Sequence, residues 1–152
     1  MIPELEDGVL PQGIHGCTIE ECEQVFGRFS RSDRRPRLTE ALRRYALDAH
    51  ASGIAVAVLI DGSHVTAKTE PNDVDIILAL RSDFDLGAEL RPMEYNIQSK
   101  RAVKKQYGFD VLPAIEGSEV YEEYLRLFSQ VRPDDPEQRT TRTTKGLLRI
   151  EL

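Results

Sequence analysis

Val58-Leu-Ile-Asp-Gly-Ser-His64, followed after a polar stretch by Asn72-Asp-Val-Asp-Ile-Ile-Leu-Ala-Leu80, decides how the rest of the chain is read. Two apolar runs flank a polar loop. The first ends in Gly62-Ser63, and the second opens with Asp73 and Asp75, one residue apart. Alternate residues of an extended strand point to the same face, about 6–7 Å apart. The pair is therefore expected to present two carboxylates side by side at the start of a strand, a geometry for holding divalent cations.

The chain has 152 residues, enough for one domain with a real core. Its composition, 40% apolar and 30% charged, is that of a soluble globular protein. No run approaches the ~20 apolar residues of a membrane span. The acidic start, Met1-Ile-Pro-Glu-Leu-Glu-Asp7, has neither the basic nor the apolar region of a signal peptide. Cys17 and Cys22 fit no metal knuckle or redox pair by spacing, and a cytoplasmic location is expected. A net charge of −6 argues against a protein that coats nucleic acid nonspecifically. The charge is uneven: residues 1–27 carry six acids and no Lys or Arg, whereas 28–44 carry seven arginines. Those arginines read either as a solvated loop and helix face or as a patch for a polyanion or an acidic partner.

Around the opening stretch the elements follow in order. Residues 1–16, punctuated by Pro3, Gly8, Pro11, Gly13 and Gly16, read as an irregular arm. Thr18-Ile-Glu-Glu21 is a capping-box pattern for a short helix that Gly27 stops. A second helix is expected from about Arg37 to Ser52-Gly53, with Leu38, Leu42, Tyr45, Ala46 and Ala49 on its apolar face. Ile54–Ile60 is apolar throughout, as in a strand buried on both faces, and Val74–Leu80 is the second strand. Ser82 reads as a helix start and Pro92 as an interruption, before a basic helix from Glu94 to Tyr107 closed by Gly108. Phe109–Pro113 reads as a short third strand ended by its proline. Ser118 caps a helix reaching Gln130. Residues 132–146 read as a flexible linker, and Leu147–Leu152 as a strand for the sheet edge. The prediction is a single α/β (α+β) domain over 1–152, a small mixed sheet flanked by helices, with its core at about 36–131.

Asp110 completes the constellation. If the third strand lies beside the second, about 4.8 Å away, its carboxylate comes within metal-sharing distance of Asp73 and Asp75. Three carboxylates on two strands suit Mg²⁺ or Mn²⁺, which take oxygen ligands and keep further positions for phosphate and water. The Gly62-Ser63 turn lets main-chain N–H groups approach a triphosphate, with the serine hydroxyl as a further donor. His15 and His64 read as loop hydrogen-bonding residues, and Lys100, Arg101, Lys104 and Lys105 as a solvated helix face.

This arrangement resembles the nucleotidyltransferase superfamily (polymerase-beta-like fold), whose motif is Gly-Gly or Gly-Ser, a gap of several residues, then Asp-x-Asp. The likeness covers roughly residues 54–113. Leu10-Pro-Gln-Gly-Ile-His15, Asp61-Gly-Ser-His-Val-Thr66 and Lys145-Gly-Leu-Leu-Arg-Ile150 are in addition similar to a family of small, mostly uncharacterised bacterial nucleotidyltransferase-like proteins. The resemblance implies that Asp73, Asp75 and Asp110 are the metal-binding and catalytic residues and that Gly62 and Ser63 hold the β- and γ-phosphates. Minimal nucleotidyltransferases of the antitoxin type often place an arginine shortly after the Gly-Ser pair. Position 66 here is threonine, and Lys68 is expected to supply that charge. The implied activity is transfer of NMP from an NTP to an acceptor hydroxyl on a protein, an RNA or a small molecule, with release of pyrophosphate. The alternative is a non-catalytic or weakly catalytic protein that binds a partner from the same operon, in a toxin-antitoxin or defence system.

Overall fold

The two strands of the opening stretch are β2 (Ala55–Asp61) and β3 (Asp75–Leu80), antiparallel neighbours whose register sets Asp61 opposite Asp75. The computed structural model describes residues 1–28, 33–66, 74–131 and 144–152. Among these, β1 (Ile14–Gly16), β4 (Asp110–Ile115) and β5 (Leu147–Glu151) complete a five-stranded mixed sheet of order β1-β5-β2-β3-β4. The helices are α1 (Ile19–Phe26), α2 (Arg34–Ser52), α3 (Pro92–Gln98), α4 (Lys100–Tyr107) and α5 (Glu119–Phe128). The fold class is α+β, as expected from the sequence.

Strand alternation divides the core in two. Val58, Ile60, Ile76, Leu78, Val111, Leu148 and Ile150 face α1–α4, where Phe26, Leu42, Tyr45, Ile97, Val103 and Tyr107 cover them. Ala57, Leu59, Ile77, Ala79, Ala114 and Leu147 face α5, which contributes Tyr121, Tyr124, Leu125 and Phe128. Covered on both faces, β2 and β3 can be apolar at nearly every position. Each fully buried aliphatic side chain contributes roughly 1.5–3 kcal/mol, so these strands are the stable centre on which the site is mounted.

Local chemistry places the helix ends. The Thr18 hydroxyl accepts from the Glu21 amide at 3.1 Å, and Ser118 accepts from Tyr121 at 3.2 Å, each satisfying a first-turn donor. Gly53 and Gly108 end α2 and α4 in left-handed conformation, at φ 71° and 85°.

Several expectations are corrected by long-range pairing. The N-terminal arm is built in: β1 runs parallel to β5, and Val9 and Leu10 are fully buried. The C-terminal strand lies inside the sheet, between β1 and β2, where both Leu147 and Leu148 are covered. Most of the expected linker falls outside the described residues, but Lys145, within it, is buried. The core accordingly reaches well beyond 36–131 at both ends. No helix starts at Ser82; Pro92 instead opens α3, where its missing N–H costs nothing. The basic helix is two helices broken at Ser99, and α5 stops at Phe128 rather than Gln130. β4 continues through Pro113 because it is the edge strand, and proline is tolerated where one side of the strand has no partner. Among the described residues no helix is long and apolar enough to cross a membrane.

Candidate functional site

At one end of the sheet three aspartates lie in a single cross-strand row. Asp61, the last residue of β2, pairs with Asp75, the first of β3, and Asp75 pairs with Asp110, the first of parallel β4. Register partners share a face, and all three lie on the α5 side, continuing the rows of Leu59, Ile77 and Ala114. The apolar cover ends before them. Asp75 is half-buried, whereas the Asp110 side chain is 67% exposed, with Lys104 Nζ at 3.7 Å. Such an exposed pair contributes little to stability.

Asp61 is held differently. Its Oδ1 forms an ion pair with Lys145 Nζ at 2.8 Å, with the two side chains only 7% and 9% exposed. The ion pair sets a buried ammonium against one carboxylate of the row.

The chain turns immediately after Asp61. Gly62 has φ 94°, which a side chain would strain, and Ser63–Val65 form a single 3₁₀ turn in which the Val65 amide reaches the Gly62 carbonyl at 3.3 Å. Arg35, buried in the first turn of α2, anchors the turn. Its guanidinium donates to the main-chain carbonyls of His64 at 2.6 Å, Thr66 at 2.8 Å and Phe26 at 3.2 Å. Five fixed N–H donors make arginine suited to collecting carbonyls from separate segments.

His64 closes the same cluster and is fully buried. The Thr39 hydroxyl donates to the Arg35 carbonyl at 2.8 Å, so its only proton is spent there. His64 Nε2, 3.0 Å from that hydroxyl oxygen, must then carry the ring proton and donate it. Nδ1 is left as a bare acceptor with no hydrogen-bond partner among the described residues. Burial, reinforced by the Arg35 charge, pulls the imidazole pKa down to about 3, and His64 is neutral throughout the physiological range.

Of the site residues expected from the sequence, Gly62 and Ser63 form the turn, and Asp75 and Asp110 are brought together across adjacent strands. Asp73 and Lys68 lie outside the described residues. Among the described residues no three His, Cys, Asp or Glu side chains are grouped to hold a metal ion. Asp75 and Asp110 stand side by side on neighbouring strands, about 4.8 Å apart, two carboxylates of the kind a hard divalent cation takes as ligands.

Reading the sequence missed Asp61, Lys145 and Arg35. Lys145 sits in a polar stretch with no local signal that it is buried. Arg35 is indistinguishable in sequence from the arginines around it, yet it is neither solvated nor available as a surface patch. Part of that arginine run is balanced inside the chain: Arg43 pairs with Glu20 and Glu23 of α1 at 3.4 and 2.5 Å, and the Arg44 guanidinium lies over the Tyr107 ring. Lys100, Arg101, Lys104 and Lys105 are exposed, and His15 bonds the Pro11 carbonyl at 2.7 Å, as expected.

No curated protein and no solved structure matches the chain. A family model does match, over residues 3–151, from ahead of β1 to the last residue of β5, and the chain belongs to that family, the family of unknown function DUF6932.

Proposed function

We propose that this protein is a metal-dependent nucleotidyltransferase that moves a nucleoside monophosphate from an NTP to an acceptor hydroxyl, releasing pyrophosphate. One observation supports the reading above the others. The positive-φ Gly62 turn and the register pair Asp75–Asp110 come from three strand ends and converge on one end of the sheet. A loop that can approach phosphates thus lies beside carboxylates that can hold the cation phosphates require.

In this reading Asp75 and Asp110, with Asp73 as the further ligand expected from the sequence, hold Mg²⁺ or Mn²⁺. When bound, the cation neutralises phosphate oxygens and favours ionisation of the acceptor hydroxyl. The main-chain N–H groups of the Gly62-Ser63 turn orient the β- and γ-phosphates. The acceptor oxygen forms a bond to the α-phosphorus while the bond from that phosphorus to the α–β bridging oxygen breaks, and pyrophosphate departs with the electron pair. Asp110, exposed at that end of the sheet, takes the hydroxyl proton in this reading. Positioning and charge compensation carry such a displacement, with no covalent intermediate on the protein. Cys17 and Cys22 are free thiols, which fits a cytoplasmic setting with its NTP supply.

The test is calorimetric titration with each NTP in Mg²⁺, alongside transfer from α-³²P-labelled NTPs, for the native chain and for Asp75→Asn/Asp110→Asn. The expected result is metal-dependent binding and label transfer, both lost in the double variant. Failure to bind any NTP, or transfer that survives the double variant, overturns the assignment.

A further inference from the structure

We propose that Lys145 is the cation that receives the outer phosphates of the nucleoside triphosphate, with Asp61 holding it in place until they arrive. The proposal rests on the nucleotidyltransferase reading and names a residue for it outside residues 54–113, which carry the superfamily likeness.

Position is the first argument. Leu148 pairs with Ile60, so Lys145, three residues earlier in the chain, lies at the end of the sheet where Gly62 turns. Its Nζ is 2.8 Å from the carboxylate of Asp61, the residue immediately before Gly62. The turn read as a phosphate cradle and the buried ammonium are therefore neighbours.

The second argument is how the lysine is mounted. Its main chain is tied on both sides: the Lys145 amide donates to Ser129 at 2.9 Å, the Gly146 amide to Leu10 at 2.9 Å, and the Leu147 amide to Gly13 at 3.0 Å. Gly146 has no room for a side chain, since a Cβ there would stand 2.0 Å from the Pro11 carbonyl oxygen. A fixed backbone thus carries a four-carbon stem whose ammonium has three rotatable donors.

Charge completes the case. Asp61, Asp75 and Asp110 in one row would repel a triphosphate, and Lys145 offsets the member of the row nearest the turn. Arg35, a second buried cation among the described residues, donates to three carbonyls and serves as a brace for the loop. A pair that served stability alone would be a weak device, because replacing a buried ion pair by neutral groups is often close to neutral. Shared between Asp61 and an incoming polyphosphate, the same ammonium has a use that Asp61 by itself does not.

Calorimetry with Mg²⁺·ATP and with Mg²⁺·tripolyphosphate distinguishes the roles. Lys145→Met is expected to weaken both ligands by about tenfold or more, the loss of one charge-assisted hydrogen bond. Asp61→Asn frees the ammonium from its competitor and is expected to retain or tighten both. Parallel weakening by the two substitutions would mark a purely structural pair and overturn the proposal. If Lys145→Met does not fold, as judged by circular dichroism, the neutral pair Asp61→Asn/Lys145→Met takes its place: the same tenfold loss supports the proposal, and native affinity overturns it. A native chain that binds ATP while the lysine variant binds it equally well overturns the role of Lys145 alone. A native chain that binds neither ligand, nor any other NTP with Mg²⁺, overturns the nucleotide reading and this proposal together.

Discussion

Arg35 donates to the main-chain carbonyl of His64 at 2.6 Å across 29 residues of sequence, tying the first turn of α2 to the loop that follows Gly62. With the further bonds to Thr66 and Phe26, one side chain fixes the loop from inside. Arg35→Met would keep much of the volume and leave those buried carbonyls without their donor. Each lost partner costs about 1–3 kcal/mol, and a total loss of roughly 3 kcal/mol is expected in urea unfolding. Arg35→Lys should recover only part of it, because an ammonium cannot span the same fork of carbonyls. Full recovery by lysine would show that charge, rather than guanidinium geometry, holds the loop.

His64 gives the loop a pH dependence whose sign is fixed by its surroundings. In the folded protein its pKa lies near 3, and in the unfolded chain near 6.5, so between these values only the unfolded chain takes up the proton. The stability from the neutral, buried ring is fully present above about pH 6.5 and is lost progressively as the pH falls towards 3. At about 1.36 kcal/mol per unit, the loss between pH 7.5 and 5.0 is roughly 2 kcal/mol. His64→Gln should be less stable than the native chain at pH 7.5 and lose about 2 kcal/mol less on moving to pH 5.0. His15 and His50 are common to both proteins, so equal slopes in urea unfolding would contradict the buried neutral imidazole.

Two glycines near the junction of the termini should respond oppositely to alanine. A Cβ on Gly146 would lie 2.0 Å from the Pro11 carbonyl oxygen, 2.8 Å from His15 Nε2 and 2.9 Å from the Gly13 carbonyl oxygen. The N-terminal segment would have to move away from β5, and Gly146→Ala is expected to lower stability by about 3 kcal/mol or more. A Cβ on Gly16, in β1, would meet nothing within 4 Å. Gly16→Ala should stay within about 0.5 kcal/mol of the native chain. Thermal melting of the two variants side by side measures the contrast, and similar melting points would refute the close approach.

What could be read without the fold was whatever repeats locally. Ile54–Ile60 and Val74–Leu80 announce strands by their apolar runs, and Thr18, Ser118, Gly53 and Gly108 mark helix ends because caps act within a few residues. The partnership of Asp75 with Asp110 was legible conditionally, since it needed only that β4 lie parallel beside β3, which it does. Pro92 and Pro113 were harder. A proline blocks a helix interior or a central strand but suits a first turn or an edge, and position within the fold selects between these outcomes.

The sequence by itself determined the two central strands, several helix ends, the turn at Gly62 and the face on which Asp75 lies, because alternation and turn chemistry are properties of neighbouring residues. Only the tertiary structure decided that β5 enters the sheet between β1 and β2, that Lys145 reaches Asp61, and that one arginine among many turns inward to brace the loop. Strand order and burial depend on which distant segments exclude water from one another, and no local pattern in Lys145 or Arg35 carries that information.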